Sequence, residues 1–156
     1  MLQRSVLNKL YLMRMIHASE EVNGKTRLQK LVFETEKRTR KKGSTQTFNY
    51  KFIRWHYGPY SRELTEDIEF LVSKELVIKQ NGMESYKLTP TGAKHLDRSS
   101  KIISQLFDES TMQETIEELL NFPLSSLLDK VYQENEIINY KMGEVIEDLK
   151  YVEVGV

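Results

Sequence analysis

The stretch Trp55-His56-Tyr57-Gly58-Pro59-Tyr60-Ser61 decides the fold, together with the helix-period run over 62–76 and Val77-Ile78-Lys79-Gln80-Asn81-Gly82-Met83-Glu84-Ser85-Tyr86-Lys87-Leu88-Thr89-Pro90-Thr91-Gly92 behind it. Gly58-Pro59 ends an extended segment, because Pro59 fixes its own φ and cannot donate to a ladder while Gly58 lets the backbone turn. Ser61 is the expected N-cap of a helix that turns Leu64, Ile68, Leu71 and Val72 inward at helical spacing. Asn81-Gly82 between two short strand-like runs signals a two-residue hairpin. Thr89 then caps a further helix with Pro90 at its first position, where the missing N–H costs nothing. The order is turn, helix, β-hairpin, helix, the last running over about 90–107.

Upstream, residues 2–18 place Leu2, Val6, Leu10, Met13 and His17 on one stripe, widened by Leu7, Tyr11 and Met15, and predict an amphipathic helix. Asn23-Gly24 breaks it. Thr26-Arg27-Leu28-Gln29 has the form of a capping box, so a second helix is expected from Arg27, with a narrow core stripe of Leu28, Leu31, Val32 and Thr35. Phe48, Tyr50, Phe52 and Arg54 alternate with Asn49, Lys51, Ile53 and Trp55 as an aromatic-rich strand does. Helix, helix, strand, helix and hairpin in this order read as a winged helix-turn-helix core. Downstream, Thr111-Met112-Gln113-Glu114 is a second capping box, for a helix to about Leu120 that Phe122-Pro123 interrupts. Leu124, Leu127, Leu128 and Val131 form another face, a weaker helix follows over 140–150, and residues 151–156 alternate as a frayed or extended tail would. The fold class is therefore mainly α with a small β-hairpin or sheet. A winged-helix-like domain is expected over 1–107 and an acidic helical extension over 108–156.

Composition narrows the class further. Of 156 residues 39% are hydrophobic and 29% charged, as in an ordinary globular chain. Cysteine is absent, which removes disulfides, thiolate nucleophiles and sulfur-ligated zinc, and makes a cytoplasmic location the default. No apolar signal core opens the chain and no apolar stretch approaches membrane-spanning length, so no membrane association is expected.

The zero net charge hides a gradient: 13 Lys and Arg against 4 Asp and Glu over 1–55, 7 against 7 over 56–105, and 3 against 12 over 106–156. An anionic partner for one end, pairing between the two ends, or two solvated faces of opposite sign would each account for it. The cations gather on the second helix and the strand after it, at Arg27, Lys30, Lys37, Arg38, Arg40, Lys41, Lys42, Lys51 and Arg54, with Lys79 and Lys87 near the hairpin. Such a surface suits phosphates, whose neutralisation makes affinity salt-dependent and carries little sequence information. Cations in a last helical turn also suit the helix dipole. The helix after Ser61 is a poor occupant of a DNA groove: Arg62 and Lys74 stand against Glu63, Glu66, Asp67, Glu69 and Glu75, a net of −3.

Trp55, Tyr57 and Tyr60 either pack the third helix onto the strand or form an exposed patch for a protein partner, with Tyr60 the most exposed of the three. A protein-binding surface would then comprise Tyr57, Tyr60, Arg62, Glu63 and Glu66. His17, His56 and His95 lack metal-ligand spacing, and neither a glycine-rich phosphate loop nor a G-x-S-x-G turn is present. No catalytic residue, metal site or cofactor is assigned, and a non-enzymatic binding protein is expected.

Gly24-Lys25-Thr26-Arg27-Leu28-Gln29-Lys30-Leu31, Tyr57-Gly58-Pro59-Tyr60-Ser61 and Lys74-Glu75-Leu76-Val77 resemble the corresponding elements of small uncharacterised bacterial and archaeal winged-helix proteins. They are more distantly similar to the Panacea-type antitoxin domain, which has the same leucine-glutamine-lysine-leucine helix and tyrosine-glycine-proline turn. The hairpin closing on Tyr86-Lys87-Leu88-Thr89-Pro90-Thr91-Gly92 resembles the wing of PadR and MarR regulators. Here, however, a loop and a strand separate the second and third helices, in place of a tight turn. The resemblance implies one of two functions. One is a nucleic-acid-binding regulator, expected as a homodimer, that uses the basic second helix and the wing. The other is an antitoxin-like or adaptor protein that binds a protein partner through the same scaffold.

Overall fold

The computed structural model describes residues 4–80 and 84–146. The Asn81-Gly82 turn, Leu2 of the first stripe, residues 147–150 of the last expected helix and the 151–156 tail lie outside the described residues. Seven α-helices and two small antiparallel sheets are described, so the chain is mainly helical, as its sequence indicates.

Helix α1 (Arg4–Ser19) is followed by the short strand β1 (Val22–Asn23) and by α2 (Lys25–Lys41). Gly24, at φ +99°, precedes α2 and caps it without a side-chain bond, so Thr26 lies inside the first turn and not at the cap. In α1 the buried face runs through Asn8, Tyr11, Leu12, Met15, Ile16 and Ser19. Val6 and His17 of the expected stripe are exposed. The helix is apolar on too many sides for its sequence to fix the angle of burial.

Phe48, Tyr50 and Phe52 alternate into the core as expected, although only Ile53–Trp55 (β2) is ladder-bonded. Its partner is β3 (Gly58–Tyr60), in register Ile53↔Tyr60 and Trp55↔Gly58, so Gly58-Pro59 opens a return strand and the turn is His56-Tyr57. Ser61 caps α3 (Arg62–Ser73), its Oγ accepting from the Leu64 amide, and Leu64, Ile68 and Leu71 are buried. Strands β4 (Val77–Gln80) and β5 (Ser85–Leu88) pair as the sequence indicates, and β1 joins the far edge of β5 to give the order β1-β5-β4. The Thr89 hydroxyl accepts from the Gly92 amide to cap α4 (Pro90–Arg98). Ser99 divides the helix expected over 90–107 into α4 and α5 (Ser100–Leu106).

Asp108 caps α6 (Glu109–Leu119), accepting from the Thr111 amide, so this helix starts before the Thr111 box. After Pro123 comes α7 (Leu124–Glu134), which buries Leu127 and Val131 but leaves Leu124 exposed. A single 3₁₀ turn (Ile137–Asn139) follows. Residues 141–146 are not helical, contrary to expectation: the Ile146 amide donates to Phe52 O, Arg54 N to Glu144 O, and Val145 bridges Ile53.

The core is built around α2. Every residue from Leu28 to Lys37 is buried, with Thr39 and Arg40, where a narrow stripe was expected. Its second face is covered by α6 and α7, and Met112, Ile116, Leu119, Leu127 and Val131 join α1 and α2 residues in one hydrophobic cluster. Burial of this many aliphatic and aromatic side chains, at about 1.5–3 kcal/mol each, is the main stabilising term.

Candidate functional site

The stretches Leu28-Gln29-Lys30-Leu31 and Gly58-Pro59-Tyr60-Ser61, distant in sequence, are bonded to each other. Gln29 clamps both backbone groups of Ser61: its Nε2 donates to Ser61 O at 2.8 Å and its Oε1 accepts the Ser61 amide at 2.9 Å. The Lys30 Nζ donates to Pro59 O at 2.7 Å. The Lys30 side chain runs beneath Gly58, with Cε 3.5 Å from where a Cβ would stand, and Gly58 has φ +98°. Lys30 is 2% exposed and forms no ion pair among the described residues, and burial pushes its ammonium down to about 7. Two side chains of α2 thus fix the β2–β3 hairpin and the start of α3 through main-chain groups, which sequence alternation alone does not reveal.

The hairpin presents aromatic rings outward. Trp55 is 41% and Tyr57 65% exposed, whereas Tyr60 is half-buried, which reverses the expected order. Trp55 leans on His56, with ring centroids 4.7 Å apart, and lies 6.5 Å from Tyr60. Between these rings and the start of α2 is a mainly apolar cavity of about 200 Å³, walled by Gln29, Lys30, Trp55, His56, Tyr57 and Tyr60. Arg62, Glu63 and Glu66 are exposed on the adjoining α3. Asp67, by contrast, turns inward to accept the Tyr50 hydroxyl at 2.6 Å; burial raises its carboxyl, with the Tyr50 bond and Lys9 opposing.

The basic set is not one surface. Lys30, Lys37 and Arg40 are buried, correcting the expectation that they face a ligand. Lys37 bonds Asn135 Oδ1 and lies 3.3 Å from Glu34, and its ammonium is pushed down by burial with Glu34 opposing. Arg40 reaches Phe48 O and lies 3.7 Å from Glu36. Arg27 caps the end of α6, donating to Leu120 O at 3.0 Å and Phe122 O at 2.7 Å. Arg54 donates to Tyr140 O and to the Tyr132 hydroxyl. Arg38 pairs with Glu118 at 2.7 Å, Lys42 with Glu114 at 3.2 Å, and Lys79 with Glu84 at 3.4 Å. Lys41, Lys51 and Lys87 are exposed, on three separate segments. Arg27, Lys37, Arg38, Lys42 and Arg54 are taken up by α6, α7 or the residues that follow them, Lys30 and Arg40 by the main-chain carbonyls of Pro59 and Phe48, and Lys79 by Glu84 of its own hairpin.

Among the described residues no group of three or more His, Asp or Glu is placed to hold a metal ion, and no helix is long and apolar enough to cross a membrane. No curated protein matches the chain, and no solved structure does. A family model, the SocA-like antitoxin with its Panacea domain, matches residues 28–148, from the clamp on α2 through the segment that bonds β2. The chain therefore belongs to the SocA-like antitoxin, Panacea domain family.

Proposed function

We propose that this protein is an antitoxin-like binding module that holds a protein partner, a toxin in the simplest case, against the β2–β3 hairpin and the adjoining start of α3. The observation that carries this reading is the exposure of Trp55 and Tyr57 on a hairpin tied from beneath by Gln29 and Lys30. Rigidly presented Trp and Tyr are the side chains most enriched among interface anchors, and pre-ordering them lowers the entropic cost of binding. Tyr60, Arg62, Glu63 and Glu66 would form the rim. Membership of an antitoxin-like family supports the same reading.

The helix order and the β1-β5-β4 sheet suit a winged-helix scaffold used for protein contact. A nucleic-acid role has weaker support, because most of the expected phosphate donors are spent on internal partners.

The test is affinity capture from lysate with and without nuclease, using the wild type and a Trp55→Ala/Tyr57→Ala variant. A protein that survives nuclease, is lost in the variant and arrests growth unless this chain is co-expressed is the expected result. Capture that nuclease abolishes, or that the variant leaves unchanged, overturns the reading.

A further inference from the structure

Lys30 is chemically unusual for a buried residue. A lysine sealed from water normally has a carboxylate beside it, since an uncompensated ammonium in an apolar site costs several kcal/mol. Lys30 has none among the described residues; its hydrogen-bond partner is the neutral carbonyl of Pro59. With its pKa near 7, the free amine is populated alongside the ammonium at neutral pH, and the amine form carries a lone pair. The same side chain forms part of the wall of the aromatic cavity.

That cavity has a size and lining that select a ligand class. Its volume of about 200 Å³ exceeds the roughly 150 Å³ in which an apolar protein cavity holds benzene. Trp55, Tyr57 and Tyr60 offer ring faces and edges to a flat molecule. A desolvated lysine amine beside such a pocket is the arrangement that attacks carbonyl carbon. The other ionisable groups lining it are Lys25, which pairs with Glu69 at 4.0 Å, His56, Tyr57 and Tyr60.

We propose that the cavity between α2 and the β2–β3 hairpin is a binding site for a small aromatic aldehyde, which Lys30 captures covalently as an imine. The Nζ lone pair attacks the carbonyl carbon and one amine proton passes to the former carbonyl oxygen to give a carbinolamine; the second amine proton then passes to that hydroxyl, the C–O bond breaks and water leaves as the C=N bond forms. No oxidant, reductant or metal is required.

The test treats the intact wild-type protein with benzaldehyde at pH 7.5, traps imines with cyanoborohydride and locates benzyl-lysine by peptide mass spectrometry. With an amine pKa of about 7 against about 10.4 for a free lysine, the adduct at Lys30 is expected to form at least about tenfold faster than at exposed Lys51. The Lys30 rate is expected to fall as pH drops below 7. Trp55 is the chain's single tryptophan, so saturable quenching of its fluorescence reports occupancy independently. Labelling of Lys30 no faster than Lys51, or only after urea unfolding, overturns the proposal. Because lysines are compared within one wild-type sample, the result does not depend on a Lys30 variant that folds.

Discussion

The Arg38 Nη2 lies 2.7 Å from Glu118 Oε2, joining the basic helix α2 to the acidic helix α6. Arg14 with Glu109 at 2.5 Å and Lys42 with Glu114 at 3.2 Å repeat the pattern. Three cations of residues 1–55 thus pair with three acids of α6, so part of the opposed charge of the two ends joins the chain's own helices. Of the three explanations that the sequence leaves open, pairing between the ends is the one with residues attached.

Glu118 has the Arg38 hydrogen bond as the leading cause that holds its carboxyl below the usual range, with Lys130 adding to the effect. A carboxylate with a depressed folded pKa contributes stability above its unfolded pKa and loses it as pH falls through the folded value. Glu118 is 42% exposed at the side chain, so screening limits the bond to below about 1 kcal/mol. An Arg38→Ala/Glu118→Ala double-mutant cycle in urea is expected to return a coupling of about 0.3–1 kcal/mol at pH 7. That coupling should shrink in high salt and below pH 4.

The buried cluster on the same helix carries more. Asn135 accepts from the Lys37 ammonium, and its Nδ2 donates to Glu34 Oε2 at 2.9 Å and to Val131 O. Removing the amide leaves an ammonium and a carboxylate short of partners inside the protein. Asn135→Ala is expected to cost about 2–4 kcal/mol, measured as a fall in urea midpoint with an unchanged slope.

Local chemistry was legible wherever it is short-ranged. The Ser61 and Thr89 caps, the Val77–Gln80 and Ser85–Leu88 strands and the Phe48, Tyr50, Phe52 alternation all follow from spacing and residue type. What escaped depends on distant partners. The polar residues of α2 read as a solvated face because nothing in Glu34 or Lys37 announces that α7 returns over them, and nothing in Lys30 or Arg40 announces the Pro59 and Phe48 carbonyls that meet them. The candidate site was legible in part for the same reason: Tyr57 and Pro59 stand out in sequence, but the Gln29 and Lys30 bonds that tie their hairpin to α2 do not.

Gly92 marks where α4 meets the loop before β4. A Cβ built there overlaps the Leu76 carbonyl oxygen and stands 3.0 Å from Leu88 Cγ, so backbone must move to admit it. Gly92→Ala is expected to lower stability by about 1–3 kcal/mol despite the better helix propensity of alanine. A thermal melt with a raised or unchanged midpoint would contradict this close approach.

Lys30 gives the pH dependence of the fold. Its folded pKa, at about 7, lies below the unfolded value near 10.5, so between these limits the unfolded chain binds more protons than the native one. Stability from this residue therefore rises as pH climbs through that window and is lost as pH falls through about 7, with a slope of up to about 1.4 kcal/mol per pH unit. Tyr50 and Tyr86, both pushed up by burial, act in the opposite sense, but only above about pH 10. Urea titrations of the wild type and Lys30→Met between pH 7 and 9.5 are expected to show a rising midpoint in the first and a flatter one in the second. Parallel profiles would mean that the buried Lys30 amine is charged at neutral pH, and would remove the physical basis for its reaction with carbonyl compounds.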